Sequence, residues 1–264
     1  MPKRTLTTAI LLASLCIALS GDALGEEKVS TSSPQDVITG APPNPSEAWK
    51  IAAGGRIYDV WWDALGRTRP RGTNPSYPAS GKRSGSTTWR CVECHGWDYK
   101  GAEGVTAPGG AFGERYTGIK GLFGASGRSL DEVARALRSA PHNYTPDMLR
   151  DAELEWVALF TLKGLHDADR FIDRKTGRVE GDPARGAAVF QTVCATCHGF
   201  DGKTLNWGKP DAPAYVGTEA ASLPWEVLHK IRNSHPGAAM VSLRAFPIEV
   251  AIDVLAYAQS LPKK

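Results

Sequence analysis

Cys91-Val92-Glu93-Cys94-His95 and Cys194-Ala195-Thr196-Cys197-His198 follow one pattern, two cysteines three positions apart with a histidine directly behind the second. Two thiols at that spacing can add to the two vinyl groups of one haem, and the adjacent imidazole is then held under the iron as proximal ligand. A redox-active cysteine pair or one shared zinc site would also employ these thiols, but neither accounts for histidine in the same place both times. The expectation is two covalently attached haem c groups, one through Cys91, Cys94 and His95 and one through Cys194, Cys197 and His198.

The fifth cysteine, Cys16, falls in an N-terminal stretch that reads as an export signal over residues 1–25. Lys3 and Arg4 form its positive end, Thr8 to Leu19 its apolar segment, and Ala23-Leu24-Gly25 a small-x-small cleavage site. Cys16 as a lipid-attachment residue fits poorly, because Leu15 before it is too large for the usual signal. Cleavage near Glu26 discards Cys16 and places the mature chain in the periplasm, where unengaged thiols would oxidise. The remaining sequence has no run of ~18 apolar residues, so no membrane span is expected in the mature chain. A formal charge of +3, from 31 basic and 28 acidic residues, gives no footprint for nucleic acid.

The similarity of the two halves extends beyond the cysteines. Tyr116-Thr117-Gly118 is matched by Tyr215-Val216-Gly217, and Leu137-Arg138-Ser139 by Ile231-Arg232-Asn233. His142 and His235 follow, then Met148 and Met240, then helical stretches with Ala158-Leu159-Phe160 and Leu255-Ala256-Tyr257. Ordered similarity of this kind implies a duplicated unit.

Each unit reads as a short helical domain. Asp182-Pro183 is a cap followed by proline at the first helical position, opening a helix that contains Gly186-Ala187-Ala188-Val189-Phe190. This glycine-x-x-x-aromatic pattern, with Tyr257 as opposing aromatic, resembles that of class I c-type cytochromes. The first half offers Gly54-Gly55-Arg56-Ile57-Tyr58 against Trp156 or Phe160. The resemblance implies a mainly α fold, two tandem class I cytochrome c-like domains, each around one haem. It also implies that the first helix of each domain crosses the last.

The resulting organisation is a polar tether over 26–45, a first domain over 46–165, a linker over 166–181 and a second domain over 182–264. The resemblance implies axial methionine from Met148 in the first domain and Met240 in the second; His142 and His235 compete as sixth ligands, because bis-histidine ligation is equally good coordination chemistry. It further implies that a proline carbonyl orients each proximal imidazole, Pro108 for His95 and Pro210 for His198. His166 and His229 have no role in this scheme and default to surface positions.

One departure stands out. Phe190 lies four residues before Cys194, whereas Tyr58 lies 33 before Cys91, so the first domain carries an insertion at about 63–90. It holds Arg67, Arg69, Arg71, Lys82, Arg83 and Arg90, with no acidic residue between Asp63 and Glu93. Such a loop can be a solvated basic stretch near haem propionates, a docking surface for an acidic redox partner, or an anionic substrate site. The expected function is a periplasmic di-haem carrier of single electrons between redox proteins, alone or within a complex, rather than an enzyme. The alternative is a di-haem oxidoreductase acting on a thiosulfate-type sulfur anion or peroxide at the first haem.

Overall fold

A computed structural model describes residues 41–264. The expected export signal, and the expected tether up to residue 40, lie outside the described residues. The described chain is mainly helical, with α1 (Glu47–Ala64), α2 (Cys91–His95), α3 (Leu130–Arg138), α4 (Asp151–Leu159), α5 (Pro183–Val189), α6 (Ala195–His198), α7 (Val216–Ser222), α8 (Pro224–Asn233) and α9 (Ile248–Ser260). Only isolated bridges of β type occur among the described residues, and no helix there is long and apolar enough to cross a membrane.

Two helix crossings organise the chain, and glycine makes both possible. A Cβ on Gly186 of α5 would overlap the Asp253 carbonyl of α9, so only glycine permits this approach. One turn later Phe190 meets Tyr257 at 5.4 Å between ring centres. In the first half a Cβ on Gly54 of α1 would overlap the Trp156 carbonyl of α4, and Tyr58 meets Phe160 at 5.3 Å. Trp156, the other aromatic expected opposite Tyr58, packs edge-on against Trp49 instead. Local caps support both arrangements. Ser46 accepts a hydrogen bond from the Trp49 amide at the start of α1, and Asp182 accepts from the amides of Ala184 and Arg185 at the start of α5.

The glycine next to Gly54 has a different partner. Gly55 faces Asn233 at the end of α8, where a Cβ would overlap the asparagine side chain. Helix α1 is therefore packed between α4 of its own half and α8 of the other. One cluster of buried side chains runs through both halves, from Tyr58, Trp97, Tyr99 and Phe160 to Phe190, Trp225, Leu228 and Leu255. Residues 166–181 join it through Ala168, Ile172 and Val179.

His229 on α8 is 0% exposed, contrary to the surface position expected for it. Its Nε2 lies 2.9 Å from the Gly55 carbonyl and its Nδ1 2.8 Å from the Tyr99 hydroxyl, both in the other half. The face of α8 that would be solvent in an isolated domain is covered by α1. Burial pushes this imidazole down to about 4, so it packs as a neutral, hydrogen-bonded core residue.

Candidate haem sites

The inserted segment returns the chain from the end of α1 to the start of α2, and two of its six basic residues, Arg67 and Arg90, are engaged in close ion pairs in doing so. Arg67 pairs with the buried Glu153 at 2.8 Å and also donates to the Met148 carbonyl. Arg90 pairs with the buried Asp59 at 2.5 Å and with Glu93 at 3.4 Å, while Arg83 approaches Glu93 at 3.9 Å. Arg69 lies over the Trp62 ring. These contacts anchor the loop to α1, α2 and α4, and they leave Arg69, Arg71, Lys82 and Arg83 as its exposed cations.

Anchored in this way, the loop forms one wall of a cavity of about 550 Å³. Cys91, Cys94 and His95 of α2 line the cavity together with Tyr58 of α1, Asn74 and Tyr77 of the insertion, Leu137 of α3 and Val157 of α4. Gly96, at φ 74°, ends α2 directly behind the histidine and turns the chain away. Burial pushes the Cys91 thiol up to about 11 and the Cys94 thiol up to about 12. Among the described residues no group of three or more His, Cys, Asp or Glu is placed to hold a metal ion by itself.

His95 is oriented by a specific acceptor, though not the one expected. Its Nδ1 lies 2.8 Å from the Lys120 carbonyl. A carbonyl only accepts, so Nδ1 carries the hydrogen and Nε2 keeps its lone pair for a ligand. The expected partner, Pro108, lies in a run of tight turns whose hydrogen bonds join Gly104 to Ala107 and Ala107 to Gly110. That folding takes the chain away and returns it past His95 only at residue 120, where Gly101 and Lys120 bridge.

Opposite His95 the wall is completed by His142, and the two rings lie 6.2 Å apart and 27° from parallel. The Nδ1 of His142 is 3.0 Å from the Ala136 carbonyl, so this imidazole too has one nitrogen engaged and the other free. Met148, expected as the sixth ligand here, does not line the cavity. It packs on the tryptophan-rich cluster of α1 that contains Trp61 and Trp62, while Arg67 of the insertion holds its carbonyl.

The second cavity, about 250 Å³, is lined by Phe190, Cys194, His198, Trp207, His235 and Met240, with Glu226 and Lys230 at its edge. Gly199 at φ 78° ends α6 as Gly96 ends α2. The amides of Gly101 and Thr204 return to the carbonyls of His95 and His198 at 3.0 Å in each half. Cys197 is exposed, one helical turn from Cys194. The Nδ1 of His198 is buried without a hydrogen-bond partner, and Pro210, expected to supply one, is exposed. His235 has Nδ1 2.7 Å from the Pro236 carbonyl, and the Met240 carbonyl is held by the Ser234 hydroxyl at 2.7 Å.

The first cavity fits a haem in donor set and size: paired neutral thiols, an imidazole with a free lone pair, a second imidazole across from it, apolar walls, and a volume within the ~300–1,000 Å³ of small-molecule sites. The second repeats this donor set in part: Cys194, His198, His235 and Met240 line the cavity, Cys197 is exposed and does not, and Trp207 is half-exposed beside His198.

Residues 181–257 match the family described as cytochrome c oxidase, cbb3-type, subunit III. No curated protein matches the chain. The match supports a c-type cytochrome domain over this stretch, and such a domain implies covalently bound haem c and a role in electron transfer.

Proposed function

We propose that this protein is an exported di-haem c-type cytochrome that passes single electrons between redox protein partners. The observation that carries this reading is the recurrence of one motif, Cys91, Cys94 and His95 in the first half and Cys194, Cys197 and His198 in the matched stretch, with a cavity at each that the first cysteine and the histidine line. Each haem supplies a one-electron reservoir when bound. The chain supplies attachment, axial ligation and insulation from water.

In this reading Cys91 and Cys94 tether the first haem, His95 is its proximal ligand and His142 its distal ligand. The Lys120 carbonyl holds His95 in the tautomer that ligation requires. Cys194, Cys197 and His198 serve the second haem, with Met240 as distal ligand and His235 as its competitor in the same wall. Side-chain ligands on both faces leave no position for a substrate, which favours transfer over turnover.

Intact mass of the exported protein tests the count. Two haems above the mass of the chain from about residue 26 are expected, retained on extraction into acidified organic solvent. One haem, or colour lost to the solvent, contradicts the proposal.

A further inference from the structure

The two cavities are joined by a short line of charged groups centred on one buried carboxylate. Asp59 on α1 is 1% exposed and sits between a cation from each cavity wall. Its Oδ1 is 2.5 Å from Arg90 Nη2, and Arg90 lines the first cavity. Its Oδ2 is 2.8 Å from Lys230 Nζ, and Lys230 lines the second cavity beside Glu226, 3.0 Å away. Both cations lie against the ring of Trp97, at 5.7 and 5.1 Å from its centre. Trp97 is 2% exposed and two residues beyond His95. The indole covers one side of both cations, while the carboxylate between them is out of water, where screening by salt is weakest.

From this placement we infer that Asp59 is a positioning residue whose single carboxylate sets the reduction potentials of both haem sites together. The inference rests on the two-haem reading above. Reduction removes one positive charge from a haem, so a fixed negative charge nearby favours the oxidised form. Asp59 also fixes the direction of Arg90 and Lys230, so its field and theirs act as one unit on both cavities. Burial alone would push this carboxyl up, but Lys230 and Arg90 outweigh it and hold it down at about 2, which keeps the charge in place at working pH.

The test is a redox titration of the full holo-protein, with haem content measured on the same sample. Asp59→Asn keeps the shape and removes the charge. The expected result is a shift of both haems toward the reduced form by about tenfold in equilibrium constant, which is about 59 mV for a one-electron couple. Lys230→Gln shifts both in the opposite direction, and it carries the same test should Asp59→Asn fail to yield folded protein. Glu153→Gln, at a buried carboxylate paired with Arg67 instead, leaves the second haem where it was. A shift at one haem only, with two haems present, overturns the shared role and leaves the two-haem reading intact. Equal shifts from Glu153→Gln would also overturn it, since any buried carboxylate would then suffice. Finding one haem per chain overturns both readings.

Discussion

The imidazole of His142 faces that of His95 across the first cavity at 6.2 Å between ring centres. A metal–imidazole bond is about 2 Å long, so two such bonds, with about half a ring at either end, span roughly 6 Å. His95 and His142 are therefore the two residues whose imidazoles would hold the iron of a haem bound in this cavity. His142 is carried there by the turn after α3, and its Nδ1 is already committed to the Ala136 carbonyl, which fixes the ring. Carbon monoxide separates the two ligand candidates. His142→Ala opens the first haem and gains one equivalent of rapid binding to reduced protein, whereas Met148→Ala gains none.

The two haems also differ in ligand chemistry, and that difference sets their order. A neutral thioether favours reduced iron and raises the potential, whereas a second imidazole does so less. The Lys120 carbonyl further strengthens His95 as a donor, while His198 has no such partner. The first haem is expected to titrate at the lower potential. A spectroelectrochemical titration of wild type and His142→Ala assigns the two waves, and Met240→Ala lowers or broadens only the upper one.

The crossings predict a steric response. Gly54→Ala and Gly186→Ala each force a methyl against a backbone carbonyl, so each lowers stability by about 1–3 kcal/mol or more. Phe190→Ala, which empties the contact with Tyr257, costs about 3–5 kcal/mol. Denaturant unfolding of the holo-protein measures all three.

How much of this was legible in the sequence depends on how local the cause is. The two CxxCH motifs follow from spacing within one element, whereas the crossing of Gly186 and Phe190 with Tyr257, and its match at Gly54 and Tyr58, came from the resemblance to class I c-type cytochromes. The position of His229 could not. Its burial is created by α1 of the other half, to which it is linked through Gly55, and no pattern within α8 announces that contact. The distal wall was obscured for a related reason. Met148 and His142 lie six residues apart, and their assignment depends on Arg67 of the insertion drawing the Met148 backbone toward α4. The turns after Gly101 likewise make residue count a poor guide to which carbonyl reaches His95.

Acid stability follows from Asp59. Its folded value lies near 2 against an ordinary 3.8, so the ionised carboxylate stabilises the fold above about pH 4. That contribution is lost as the pH falls through about 2. Asp59→Asn is less stable at neutral pH, and its deficit relative to wild type shrinks on acidification over that interval. Unfolding of both proteins at several pH values measures it.

The exposed cations of the insertion give a kinetic prediction. If Arg71 and Lys82 steer an acidic redox partner, the rate of electron exchange falls as ionic strength rises, because exposed charges are screened over ~8 Å at physiological salt. Replacing both with Gln flattens that dependence and leaves the haem spectrum unchanged. Arg67 and Arg90 are unsuitable for this test, because their ion pairs hold the loop in place.

Paramagnetic resonance of the fully oxidised holo-protein tests the central claim most directly, because it counts the irons and reports their ligation in one spectrum. The account predicts two low-spin ferric signals of equal intensity in wild type, one of which becomes high-spin in His142→Ala while both persist in Met148→Ala. A single haem signal, a high-spin iron in the wild type, or loss of a low-spin signal in Met148→Ala would contradict it.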